Sequence, residues 1–249
     1  MFEILFSVWL YAVVIVAIHA YFGLKIVERN IIFTDLAIGQ AAAIGVATSI
    51  AFFHSEYSYV LALSFSLAFA MLIAYAQKRV FNIEAFIGLL YVLGASVAML
   101  ILSSGCSHSS SEEFSSLLAS DILFTSTEDI YIYTGIYFAI ALFIYTIYCR
   151  LHSTLKELTF FALFAITVTT SVKSVGVFVV FALLVAPAYV AHMQSKYNKL
   201  LFAILFGTLN VTIAIFGSYY LDLSTGYTIV FVNSFLAILV ALMYKKVNS

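Results

Sequence analysis

Two kinds of side chain in this sequence are placed to meet a cation: polar residues at the start of an apolar run, and histidine–carboxylate groups between runs. The first kind lies in IIFTDLAIGQAAAIGVATSIAFF, residues 31–53, where Asp35 and Gln40 stand near the beginning. A carboxylate at membrane depth costs about 2.5–3.5 kcal/mol on insertion scales, so it has a partner or marks a pathway. Asp35 therefore reads either as a helix-start cap or salt-bridge partner of Arg29, or as a transient metal contact. Gln40 reads as helix–helix glue or as a lining residue. Five residues of regular helix turn through about 500°, so the two side chains diverge by about 140° and cannot share one ion. Gln40 lies about 7–8 Å beyond Asp35 at 1.5 Å per residue, which favours it as the lining residue. The second kind comprises His54 with Glu56, and His108 with Glu112 and Glu113. Histidine plus carboxylate suits borderline divalent ions and makes these outer-side metal-capture candidates, although a solvated polar loop is the plainer reading. His19 reads as a hydrogen-bonded packing residue, and His152 and His192 as residues at helix ends touching water or headgroups.

A third feature is VGVFVVFALLVAPAYVAH, residues 175–192, which contains Pro187, the only proline of the chain. A proline inside a helix removes one hydrogen bond and costs about 3 kcal/mol. The carbonyl it frees, near Leu183, must be satisfied by a neighbour or by water. Ala182, Ala186, Ala188 and Ala191 leave room for another backbone nearby. The stretch is either a packing kink or a bent helix beside a transport path. No H-E-x-x-H, G-x-S-x-G or paired intramembrane aspartate points to a membrane enzyme, and no tightly bound cofactor is implied. There is no G-x-x-x-x-G-K-[ST] phosphate loop, so energy for transport must come from a partner or an ion gradient. Cys106 and Cys149 lie far apart, forming neither a zinc knuckle nor an evident disulfide.

The elements that position these residues follow from composition. Of the 249 residues, 64% are hydrophobic and 9% charged, against about 25% charged in soluble chains. Backbone groups must then be satisfied inside lipid, and segments near 20 apolar residues make helices. Apolar segments fall near residues 4–24, 31–53, 57–76, 84–103, 130–149, 157–172, 175–193, 200–220 and 226–244, which predicts nine spans in one polytopic domain, 1–249. The sixth is the weakest, thinned by Thr167, Thr169, Thr170 and Ser171, and the first is long enough to be retained as a span. With the N-terminus outside and the C-terminus inside, ten of eleven basic residues lie on the cytoplasmic side, leaving only Lys173 outside. The longest connection, Ser103 to Asp129, carries SSLLASDILF, an amphipathic stretch expected to lie along the outer surface. In the second span Ala37, Ala41, Gly45 and Ser49 stand four apart, a stripe suited to close helix packing.

Three stretches carry a resemblance: IVERNIIFTDLAIGQAAAIGVA, NIEAFIGLLYVLGASVAMLIL and SVKSVGVFVVFALLVAPAYVA, followed by STGYTIVFVNSF at the last span. Over nearly the whole chain and in the same order they resemble the permease family of bacterial zinc/manganese/iron ABC importers. The resemblance implies an all-α permease fold in a bacterial plasma membrane. It also implies a homodimer docked on two cytoplasmic ATPases and fed by an extracytoplasmic metal-binding protein. The cargo implied is a divalent metal ion, zinc or manganese, with iron as a third candidate. Many relatives have Gly-Asp-x-x-Ser-His in the second helix; here Gln40 takes the histidine position and Asp35 is five residues away. An amide oxygen is a weaker and harder ligand than imidazole. Between spans five and six relatives carry a longer cytoplasmic segment with a Phe-Asp-Pro-like stretch. CRLHSTLKELTFF is short and lacks it, which leaves Lys156 and Glu157 as the ATPase-docking candidates, helped by residues 77–84. The competing class is a gradient-driven secondary metal carrier, for which paired broken helices are expected; one proline-bent span without a second copy weighs against it.

Overall fold

The computed structural model describes residues 2–77, 79–104, 122, 125–148, 151–193 and 198–244. His108, Glu112 and Glu113 lie outside the described residues. Among those described there are nine helices and no strand: α1 Phe2–Glu28, α2 Thr34–Phe53, α3 Ser58–Ala76, α4 Ile83–Ser104, α5 Thr127–Thr146, α6 Ser153–Val175, α7 Val177–Met193, α8 Lys199–Leu221 and α9 Thr225–Met243. The polytopic all-α fold expected from the apolar runs is the one observed. Eight of the helices are long and apolar enough to cross a membrane.

The exception corrects the expectation about the sixth span. It forms the 23-residue α6, whereas the more apolar seventh forms only the 17-residue α7. Thr167 and Thr170 do not weaken α6, because their hydroxyls donate back to the carbonyls of Leu163 and Ile166 at 2.9 and 2.7 Å. Hydroxyls satisfied this way carry no desolvation penalty into lipid. Val175 also belongs to α6, since Gly176, at φ 84° and ψ 161°, separates the two helices by a single residue. That φ falls where an L side chain is strained, and glycine accepts it freely.

The junction is buried: Val175 and Val177 are 0% and 4% exposed. Irregular backbone at membrane depth persists only where other groups satisfy it, and hydroxyls do so here. The Ser174 hydroxyl accepts from Tyr11 at 2.8 Å and donates to the Ser171 carbonyl at 3.0 Å. Thr125 donates to the Ser174 carbonyl at 3.1 Å, and Tyr137 meets the Ser171 hydroxyl at 2.7 Å.

The helices pack as two groups around α6. α2 lies between α3 and α4, while α1 packs on α7 and α8, which are closed by α9. α2 is buried on nearly every side. Its small stripe works as expected: a Cβ at Gly45 would run into the backbone of Leu61 and Ala62 on α3. One turn on, the Ser49 hydroxyl accepts from the Tyr57 amide at 3.2 Å. α1 is bound to α6 by Phe22, whose ring centroid lies 5.6 Å from Phe160 and 5.3 Å from Phe164.

Candidate translocation site

α2 begins without a side-chain cap. Its N-cap residue is Phe33, and the Thr34 hydroxyl is turned back to the Ile31 carbonyl at 2.6 Å. Asp35 sits in the first turn and is 2% exposed, and its carboxyl accepts from its own amide and that of Leu36, so the acid serves the start of α2 from inside the first turn and not from the N-cap position. A pairing with Arg29 is not formed. That guanidinium lies 4.3 Å over the Phe160 ring and bonds Glu157 at 2.6 Å, drawn to α6 by an aromatic face and a carboxylate together. Asp35 Oδ1 is left buried with no hydrogen-bond partner.

Glu84, in the first turn of α4, also serves the start of α2. Its carboxyl meets the backbone of Ile32 and Phe33, at the N-terminal end of α2. A negative charge is favoured at that end of a helix by the exposed amides and the dipole. Only part of the carboxyl is used, since Oε2 is buried without a partner.

Gln40 is 4% exposed and faces α4, where a Cβ on Gly94 would come within 2.9 Å of the Gln40 Cβ. The glycine lets α4 pass close over the amide. Gln40 Oε1 too has no partner. Among the described residues seven buried side-chain N or O atoms lack a partner, and three are the oxygens of Asp35, Gln40 and Glu84 on the α2–α4 pair. Buried polar groups are almost always satisfied, each exception costing about 1–3 kcal/mol.

The remaining residues singled out from the sequence are scattered. Leu183 is 1% exposed, and Pro187 is buried against α8, with its Cγ 3.1 Å from where a Cβ on Gly207 would stand. Within one chain α2 meets α7 at its other end, through Gly39 and Val177, so Gln40 and Pro187 are not brought together. His54 and Ser55 adopt left-handed conformations at φ 50° and 68°, and with Glu56 they form an exposed turn between α2 and α3. Lys156 lies 5.1 Å over the Tyr148 ring. No group of three or more His, Cys, Asp or Glu able to hold a metal ion occurs among the described residues. His19 Nδ1 donates to the Ile15 carbonyl, 2.9 Å away, and the residue is fully buried, in keeping with a packing role. Glu84 was not read as part of the site. Its signal was an acid in the first turn of an apolar span, as with Asp35. Asn210 and Asn233, fully buried and bonded at 3.3 Å between α8 and α9, also went unread, although amides inside apolar runs mark them.

The ABC 3 transport family matches residues 1–245 of this chain. The chain belongs to that family. This agrees with the likeness to metal-importer permeases carried by spans two, four and seven. The chain is 25% identical over 256 residues to the high-affinity zinc uptake system membrane protein ZnuB of Haemophilus influenzae, covering 96% of this chain and 97% of that protein. Its fold is similar to PsaBC from Streptococcus pneumoniae, solved in complex with Fab, with a TM-score of 0.74 at 21% identity over 94% of this chain and 89% of the other. It is also similar to a metal-chelate type ABC transporter in an inward-facing conformation, with a TM-score of 0.70 at 12% identity over 95% and 85% of the two chains. As an ABC 3 family member the protein is a multi-pass membrane transport component rather than a catalytic chain.

Proposed function

We propose that this chain is the permease subunit of an ABC importer that carries a divalent transition-metal ion, zinc or manganese, into a bacterial cytoplasm. It works as a homodimer on two cytoplasmic ATPases, supplied by an extracytoplasmic metal-binding protein. Family membership and the zinc uptake role of the ZnuB relative support this reading. The observation that carries the residue assignment is the trio of unpartnered buried oxygens on Asp35, Gln40 and Glu84. Donors left without partners in the resting protein suit an ion that must be held briefly and let go.

On this reading Gln40 lines the constriction through its amide oxygen. Asp35 and Glu84, at the helix starts, draw the ion onward to the cytoplasm. The orientation, N-terminus out and C-terminus in, rests on ten basic residues sharing one side. Lys156 and Glu157, at the start of α6, form the ATPase-docking surface. Because Glu157 also holds Arg29, a displacement of that end of α6 pulls on the segment leading into Asp35. The test is uptake of radioactive zinc and manganese by cells lacking other importers. Expressing the chain with its ATPase and binding protein should raise uptake, and an inactive ATPase should abolish the rise. Uptake that ignores ATPase inactivation overturns the importer reading in favour of a gradient-driven carrier.

A further inference from the structure

α5 is held to the bundle at one half of its length only. At its middle Tyr137 reaches Ser171 on α6 and Tyr11 on α1, and beyond it the groove opens between α5 and α1. Between them runs an apolar groove of about 540 Å³, walled by Val14, Ala17 and Tyr21 of α1 and by Phe138, Ala141 and Tyr145 of α5, with Leu200 of α8 at one end. Phe138 and Tyr145 are 71% and 84% exposed, so the groove opens to the surroundings of the bundle.

The end of the groove marked by Tyr21, Tyr145 and Leu200 is basic. Lys25 follows Tyr21 by one helical turn, and Lys199 immediately precedes Leu200. Lys25 is 43% exposed and its bond to Glu28 is a surface contact within one helix at 3.1 Å. Such pairs contribute little, and the ammonium can leave for a stronger partner. Lys199 Nζ lies 3.5 Å from the exposed His192 imidazole. The positive-inside rule places both lysines at the cytoplasmic surface.

From this geometry we infer that the α1–α5 groove is a binding site for an anionic glycerophospholipid of the cytoplasmic leaflet. One acyl chain lies along the groove, and the phosphate is held by Lys25 and Lys199. The groove extends about 12 Å along α1, from Val13 to Tyr21 at 1.5 Å per residue, and its apolar walls suit a hydrocarbon chain whose headgroup reaches the basic end. Lipid attraction of about 1 kcal/mol per surface lysine corresponds to about fivefold each, or roughly 25-fold for two.

Native mass spectrometry of the purified full-length chain, titrated with dioleoylphosphatidylglycerol or dioleoylphosphatidylcholine, tests the site. Wild type should retain phosphatidylglycerol roughly 25-fold more strongly. The double variant K25Q/K199Q should hold the two lipids equally. Ala141→Phe, at an exposed groove wall, should weaken both, with thermal unfolding in detergent confirming that it folds. Ala17→Leu serves in its place if it does not. Equal retention of the two lipids by wild type overturns the headgroup assignment. Undiminished retention by the folded groove-filling variant overturns the groove, as does a lipid-free dimer as the sole bound state.

Discussion

Replacing Gln40 with leucine separates a transport role from a packing role by giving stability and uptake opposite signs. The side chain is 4% exposed, its Oε1 has no partner, and its Cβ faces the open flank of Gly94. An unsatisfied buried acceptor costs about 1–3 kcal/mol, and leucine of similar volume removes that cost. Gln40→Leu should therefore unfold at the same temperature or higher. For a chain of this size about 1 kcal/mol corresponds to about 2–4 °C. Uptake should meanwhile fall to background, because the only donor atom at that depth of α2 is gone. Purified protein in detergent gives the melting temperature, and radioactive zinc and manganese uptake in importer-deficient cells gives transport. Normal uptake by the variant refutes the assignment and returns Gln40 to helix packing. A melting temperature lowered by more than a few degrees refutes the energetic reasoning, since the amide would then be forming bonds that leucine cannot.

Asp35→Asn should slow uptake less than Gln40→Leu does, because it retains an oxygen and loses only the attraction; a complete loss in the same uptake assay would make Asp35 the essential contact. Since all three unpartnered atoms are oxygens, manganese should compete with zinc more effectively than in a histidine-bearing relative; competition of unlabelled ions against radioactive zinc measures this, and no effect of manganese would count against it. Lys156→Ala with Glu157→Ala should reduce co-purification of the ATPase while the permease stays folded, and wild-type levels of complex would place docking elsewhere. Gly45→Leu should lose about 1–3 kcal/mol or fail to fold, because even a Cβ meets the backbone of Leu61 and Ala62; an unchanged melting temperature would deny the close α2–α3 approach. In intact cells a membrane-impermeant thiol reagent should label a cysteine at Ser109 and spare one at Asn198, and the reverse pattern would invert the topology.

Helix number was legible because lipid enforces a simple rule: a spanning segment must be apolar for about 20 residues and satisfy its own backbone. The stripe of α2 was legible for a related reason, since small residues four apart can serve one purpose in lipid, close approach. Hydropathy failed at α6 and α7. It counts a threonine as polar even when its hydroxyl is spent on its own helix, as at Thr167 and Thr170. The apolar runs do separate the two helices, but they end the sixth near residue 172, whereas α6 continues to Val175 and breaks at Gly176. Partner choice was beyond local reading. Arg29 stands six residues from Asp35 but bonds Glu157, 128 residues away, because the rings of Phe22, Phe160 and Phe164 hold α1 against α6.

The polar atoms inside the bundle divide by whether they have been given partners. Around Gly176 every named hydroxyl is used: Tyr11 on Ser174, Tyr137 on Ser171, Thr125 on the Ser174 carbonyl. The Thr125 bond meets a carbonyl in the last turn before the helix break, and the other two tie its hydroxyls to α1 and α5, which is sufficient reason for a polar cluster in an apolar core. At the α2–α4 pair no such break needs repair, yet a carboxylate, an amide and a second carboxylate each keep an oxygen without a partner. For Gln40 an apolar substitute would stabilise the fold, so folding alone gives no account of it, and the backbone bonds of Asp35 and Glu84 use only part of each carboxyl. An ion that visits and leaves does account for them. The Arg29–Glu157 ion pair fits the same reading, because it joins the segment before Asp35 to the start of α6, the surface assigned to the ATPase.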